Sequence, residues 1–166
     1  KQIVAELRAL GAPAFGLSGV DGGLLQTRQL DPHLGFVGQV THVDREPIDT
    51  LLEAGYLPVV ACVGFWENQP SQPMNVNADT AATAVAQALG AEKLVFLSDV
   101  NGVRRDKNDP DTLIHSLTAI EASRLIADKA IEAGMIPKVE ACLETLQKGV
   151  RKIHIIDGRI RHSLML

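Results

Sequence analysis

Apolar residues recur at helical spacing over residues 1–10, where Ile3, Leu7 and Leu10 fall on one face and Gly11 follows as a left-handed terminator. Residues 14–17 make a short apolar strand, 18–23 a turn-rich segment, and Leu24-Leu25 a brief apolar return. Apolar and polar positions alternate over 36–43, as in a strand with one buried face. Pro47 opens a helix that ends at Gly55, and the unbroken apolar run 57–63 is of the buried-strand type. Residues 64–77 are polar, carry Pro70 and Pro73, and are expected to form a loop.

The second half repeats the alternation. Residues 78–89 are an alanine-rich helix closed by Gly90, and 93–97 form a second buried strand. A charged, solvated loop is expected over 104–112, and Thr118-Ala119-Ile120-Glu121 has the spacing of a capping box. Pro137 marks a helix start, the helix runs to about Gln147, and 152–156 is the last clear strand before an Asp157-Gly158 turn. Short apolar strands alternating with helices predict an α/β fold with a mainly parallel sheet covered on both faces. Ligands in such folds bind at the carboxyl ends of the strands.

Composition narrows the function. The 166 residues are 46% hydrophobic and 22% charged, which excludes a disordered chain. A net charge of -4 argues against general nucleic-acid binding. No apolar run is long enough to cross a bilayer and no leader pattern opens the chain, so the cytoplasm is the expected compartment. Cys62 and Cys142 have no close partner, and the five histidines lack ligand spacing, so no metal site is expected. Both ends fall inside hydrophobic elements, which predicts a single domain over 1–166 that is a fragment cut at both ends.

Three segments are candidates for chemistry. In Asn75-Val76-Asn77-Ala78-Asp79-Thr80, extended backbone puts Asn75 and Asn77 on one side, while Asn77 and Asp79 also suit a helix N-terminus. A capped helix and a polar substrate site both fit. In Gly134-Met135-Ile136-Pro137-Lys138-Val139-Glu140, Lys138 sits in a first helical turn, where a cation opposes the macrodipole. An anion there would explain it, as would an exposed lysine partly offset by Glu140. Leu97-Ser98-Asp99-Val100-Asn101-Gly102-Val103 follows a strand and suits either a nucleotide contact or an Asn-Gly turn.

Taken in order, the motifs are more specific. Gly-Leu-Ser-Gly-Val-Asp-Gly at 16–22, Gly-Phe-Val-Gly-Gln-Val at 35–40 and Asn-Val-Asn-Ala-Asp-Thr-Ala-Ala at 75–82 come first. Leu-Ser-Asp-Val-Asn-Gly-Val at 97–103, Gly-Met-Ile-Pro-Lys-Val-Glu-Ala at 134–141 and His-Ile-Ile-Asp-Gly-Arg at 154–159 follow. This series resembles the acetylglutamate kinases of the amino acid kinase family over nearly the whole chain. The resemblance implies a three-layer αβα sandwich and ATP-dependent phosphorylation of the side-chain carboxylate of N-acetyl-L-glutamate, for arginine synthesis. Mg2+ would be carried by the nucleotide phosphates. It further implies that Asn75 and Asn77 bind acetylglutamate, that Lys138 stabilises the transferring phosphoryl group and that Asp79 orients the catalytic lysines. ATP would contact Asp99, Val100, Asn101, Gly102, Val103 and Arg104, together with Ala130, Ile131 and Glu132. The full-length parent would be a homo-oligomer with no nucleic-acid or membrane partner.

The chain departs from that pattern at its start, at its end, where the family's terminal glycine-containing segment is not reached, and at Ala133, where a small residue, often glycine, is expected. The Lys-x-Gly-Gly segment with which this family normally begins, its further glycine-rich loop and a substrate arginine are missing, so the fragment alone is expected to be inactive. Two alternatives stand beside the main reading. One is an N-acetyl-aminoadipate kinase of lysine synthesis, and the other a non-catalytic, arginine-binding regulatory domain.

Overall fold

Gly11 takes φ +86°, which only glycine adopts without strain, and so ends α1 (Gln2–Ala9) and turns the chain into β1 (Ala14–Ser18). The computed structural model describes residues 1–99, 102–106, 109–131 and 135–165, in two units, Lys1–Leu89 and Gly90–Leu166. The first unit continues through β2 (Leu25–Gln29), β3 (Val37–Val43), α2 (Glu46–Glu53), β4 (Leu57–Ala61), β5 (Val63–Trp66), β6 (Gln69–Val76) and α3 (Ala78–Ala88). β1 and β4 pair in parallel from Ala14↔Leu57 to Ser18↔Ala61.

Two expectations fail here. The apolar run 57–63 is not one strand: β4 ends at Ala61 and β5 begins at Val63, in a different sheet. Cys62 is the switch point, its carbonyl accepting the Val76 N–H at 3.0 Å. Nor is 64–77 a loop, because β5 and β6 form an antiparallel pair, with Gly64↔Met74 and Phe65↔Pro73 in register. β6 looks like a loop because most of its side chains are exposed; only Met74 and Val76 are buried.

β2, β3, β6 and β5 close into a four-stranded barrel with two antiparallel and two parallel seams. So few strands leave little interior, and Thr27 and Met74 are wholly buried. Space for Thr27 comes from two glycines. A Cβ on Gly38 would lie 2.8 Å from Thr27 Cβ, and one on Gly64 would lie 2.6 Å from Thr27 Cγ2. The Thr27 hydroxyl, out of water, donates to the Phe65 carbonyl at 2.8 Å. Leu17, Leu24, Leu25, Ile48, Val76 and Ala81 form this unit's core, joining the inner faces of α2 and α3 to the strands.

The second unit is built on β7 (Lys93–Ser98) and β8 (Lys152–Asp157), parallel and in register from Lys93↔Lys152 to Ser98↔Asp157. α4 (Ala119–Ala127) and α5 (Ile136–Gln147) accompany them. The capping box forms as predicted: Thr118 Oγ1 accepts from the Glu121 N–H, and the Glu121 carboxylate accepts from the Thr118 N–H at 2.8 Å. Val103, Ala122, Ile131, Met135 and Val139 make this unit's core. The α/β class with parallel strand pairs is as the sequence predicts.

Candidate active site

In the first unit the polar residues gather where β6 runs into α3. Asn75 lies on the exposed side of β6, paired to Val37 on one edge and Val63 on the other. Val76 turns inward and Asn77 is exposed again, so the alternation that puts Asn75 and Asn77 on one side holds. Their side chains differ in use. Asn77 Oδ1 accepts the Thr80 N–H at 3.1 Å and thereby caps α3. The Asn75 amide has no hydrogen-bonding partner among the described residues. Its backbone is fixed, with Asn75 N donating to the Phe36 carbonyl at 2.8 Å, so the amide is held out from a rigid strand end.

Asp79 is half-buried in the first turn of α3, where the macrodipole favours its charge. Burial raises the pKa of the half-buried Cys62 thiol, and the Asp79 charge raises it further, which places that carboxylate near the end of β4. The turn after β1 is built the same way. Asp21 accepts from the Ser18 N–H at 2.7 Å and the Ser18 hydroxyl at 3.0 Å, and these bonds hold its carboxyl below the usual carboxylate range.

In the second unit the polar groups gather at the outgoing ends of β7 and β8. Lys138 is the third residue of α5 and half-buried. Its ammonium donates to Ser98 Oγ at 3.4 Å and stands 5.4 Å from the centroid of the buried Phe96 ring. The cation is thus drawn onto β7 by a hydroxyl and an aromatic face. Glu140, the expected offset, does not serve: it is exposed and forms no ion pair among the described residues.

The nucleotide-contact residues spread over this unit. Asp99 is exposed and its carboxylate accepts from Ser98 Oγ at 3.4 Å. Gly102 takes φ +115°, and Arg104 bridges Leu113. The Val103 and Ile131 side chains belong to the core, so a ligand would meet only their backbone. Ala130 is half-buried, its N–H bonded to the Leu125 carbonyl at 2.9 Å. Val100, Asn101 and Glu132 lie outside the described residues.

Asp157 and Arg159 join this strand end, which sequence reasoning treated as turn chemistry. Asp157 is buried, accepts from Arg159 N, Nε and Nη2 at 2.9, 2.9 and 2.7 Å, and has a pKa held down to about 2 by those bonds. An Asp-Gly-Arg string carries a signal only once the aspartate is known to be buried. Among the described residues no group of three or more His, Cys, Asp and Glu could hold a metal, and no helix is long and apolar enough to cross a membrane.

Parallel strands ending in polar turns, beside helix N-termini that carry an asparagine cap and a lysine, define an α/β fold suited to anionic ligands. The chain belongs to the amino acid kinase family, whose model matches residues 1–157 and so runs through both units. It is 48% identical, over its whole length, to the acetylglutamate kinase of Synechococcus sp. strain RCC307, of which it covers 56%. Among solved structures it is similar to the smu.665 protein of Streptococcus mutans, at 32% identity and a TM-score of 0.79, covering 92% of this chain and 60% of that one. The N-acetylglutamate synthase of Neisseria gonorrhoeae, solved with coenzyme A and N-acetyl-glutamate, is also similar. There the identity is 25% and the TM-score 0.80, over 97% of this chain and 36% of that one. The chain spans 55–60% of the length of eight of the curated relatives it matches, each named acetylglutamate kinase.

Proposed function

We propose that this chain is part of an acetylglutamate kinase, which transfers the γ-phosphoryl group of ATP to the side-chain carboxylate of N-acetyl-L-glutamate. The product is N-acetyl-L-glutamyl 5-phosphate, for arginine synthesis. Lys138 carries the reading: an ammonium in the first turn of α5, 3.4 Å from Ser98 Oγ at the end of β7.

The chemistry needs little beyond position and charge. An acceptor carboxylate with a pKa of about 4.3 is ionised at neutral pH, so no general base is required. One of its oxygens bonds to the γ-phosphorus as the bond from that phosphorus to the bridging oxygen breaks, and ADP leaves with the electron pair. The obstacle is an anion approaching an anion, and the remedy is fixed positive charge aimed at the transferring group. Lys138 and the first-turn amides of Ile136 and Lys138 supply such charge, and Pro137 has no N–H to add.

Asn75 offers acetylglutamate an amide that nothing else engages among the described residues, whereas Asn77 serves chiefly as the cap of α3. Asp79 contributes a carboxylate beside that substrate end. Asp99, the backbone of 102–104 and the segment 130–131 serve the nucleotide, whose phosphates bring Mg2+ with them. The same reading carries a single kinase domain over both units, a cytoplasmic enzyme and a homo-oligomer.

The test uses the full-length protein. With both substrates saturating, Lys138→Ala lowers turnover by about a hundredfold to a thousandfold and changes the ATP KM less. Near-normal turnover in that variant would refute the role given to Lys138. The likeness to the Neisseria synthase, also solved with coenzyme A and L-arginine, favours a second reading, a non-catalytic, arginine-binding regulatory domain. That reading predicts arginine binding without ADP formation. Comparing acetylglutamate with N-acetyl-aminoadipate in the same assay settles the acceptor.

A further inference from the structure

We propose that Arg159, clamped by the buried carboxylate of Asp157, is a second phosphate-binding cation of the nucleotide site. The inference rests on the kinase reading and extends it to a residue for which that reading has no role.

Burial within the pair is lopsided. The Asp157 side chain is 4% exposed and the Arg159 side chain 68% exposed. A pair that existed only to satisfy a buried carboxylate would be served equally by backbone amides, and one already contributes, Arg159 N at 2.9 Å. Here the buried member is the anchor and the exposed member is what it holds. Nε and one Nη2 hydrogen bind the two carboxylate oxygens at 2.9 and 2.7 Å. A guanidinium has five N–H donors, so three remain, on the face turned away from Asp157. Such a fork, already fixed in position, matches a phosphate and gives up little further freedom on binding one.

Its place in the fold points to the same ligand. Asp157 stands opposite Ser98 in the parallel register, and the Gly158 N–H donates to the Ser98 carbonyl at 2.9 Å. The same Ser98 receives Lys138 through its hydroxyl at 3.4 Å. The Arg159 turn and the lysine therefore grip one residue from two sides, at the carboxyl end of the strand pair. The negative charge of Asp157 is taken up by Arg159, and that of Asp99 raises the Arg159 pKa further, so the guanidinium stays charged throughout the working range.

In the full-length enzyme, Arg159→Gln should raise the ATP KM about tenfold, as loss of a charge-assisted hydrogen bond does, with kcat within twofold and the acetylglutamate KM unchanged. Arg159→Lys should recover part of that loss. Asp157→Asn should shift the ATP KM in the same direction, and the double variant should be no worse than Arg159→Gln alone, because Asp157 acts through Arg159. An ATP KM within twofold of wild type, with a lowered thermal midpoint, would reduce the pair to a turn clamp and overturn the proposal. ADP titrated into wild type and Arg159→Gln separates the two layers of argument. If the wild-type protein phosphorylates no acetylglutamate, the kinase reading fails, and a tenfold difference in ADP affinity still supports Arg159 while equal affinities refute it.

Discussion

Closure of the small barrel sets the position of Asn75, and Gly64→Ala tests that closure. The added methyl would lie 2.6 Å from Thr27 Cγ2 and 2.7 Å from the Leu25 carbonyl oxygen. The threonine is wholly buried and tied to Phe65, and the carbonyl is backbone, so neither can give way cheaply. β5 must instead move several tenths of an ångström from β2, at the seam where Gln26 pairs Phe65. Overpacking of this kind costs about 1–3 kcal/mol. With a urea slope of about 2 kcal/mol per molar, the midpoint should fall by roughly 1 M. Trp66, the single tryptophan, lies two residues away in β5 and reports the transition by fluorescence.

Two controls make the outcome specific. Gly55→Ala, at φ +79° with nothing within 4 Å, should cost only the roughly 1–2 kcal/mol of a left-handed backbone. Thr27→Ser removes the Cγ2 contact and should rescue part of Gly64→Ala but none of Gly55→Ala. Because Val63 pairs Asn75 and Gly64 pairs Met74, a displaced β5 carries β6 with it. In the full-length protein the acetylglutamate KM should then rise more than the ATP KM. A Gly64→Ala midpoint equal to wild type would refute the tight-closure argument.

Asn77→Ala should lower stability by about 1 kcal/mol and Asn77→Asp should restore it, measured by thermal or urea unfolding, since the residue's described work is to cap α3. The Asp157 carboxyl, with a folded pKa of about 2 against an ordinary 3.8, binds its proton less readily folded than unfolded. Its contribution is therefore complete above about pH 4 and is lost as the pH falls towards 2. Asp157→Asn should flatten that part of the acid-unfolding curve, and an unchanged curve would count against the clamp.

Much of the fold was legible where burial leaves a periodic mark. β7 and β8 are apolar enough to be recognised, α3 and α4 carry their own caps, and Gly11 and Gly90 take the positive φ their positions implied. The barrel was not legible, because a strand on so narrow a sheet keeps only one or two side chains inside. In β6 those are Met74 and Val76, among polar residues and two prolines that read as loop. The break at Cys62 was hidden for the opposite reason: both sides of it are apolar, and no glycine or proline marks the change of sheet.

The candidate site was legible where a residue contradicts its local setting. Lys138 does so, because a cation in a first helical turn costs about 0.3–1 kcal/mol at an exposed site. The compensation is not Glu140, as a reading of neighbours in sequence expects, but Phe96 and Ser98 on a strand some forty residues earlier. A cation over an aromatic face returns about 0.5–1 kcal/mol, which roughly cancels the dipole term. Arg159 escaped notice because its setting contradicts nothing: Asp-Gly-Arg is an ordinary turn until the aspartate proves to be buried and the arginine exposed. A misplaced charge is visible in one dimension, whereas an anchored one appears only when the two ends of the pair are seen to differ in burial.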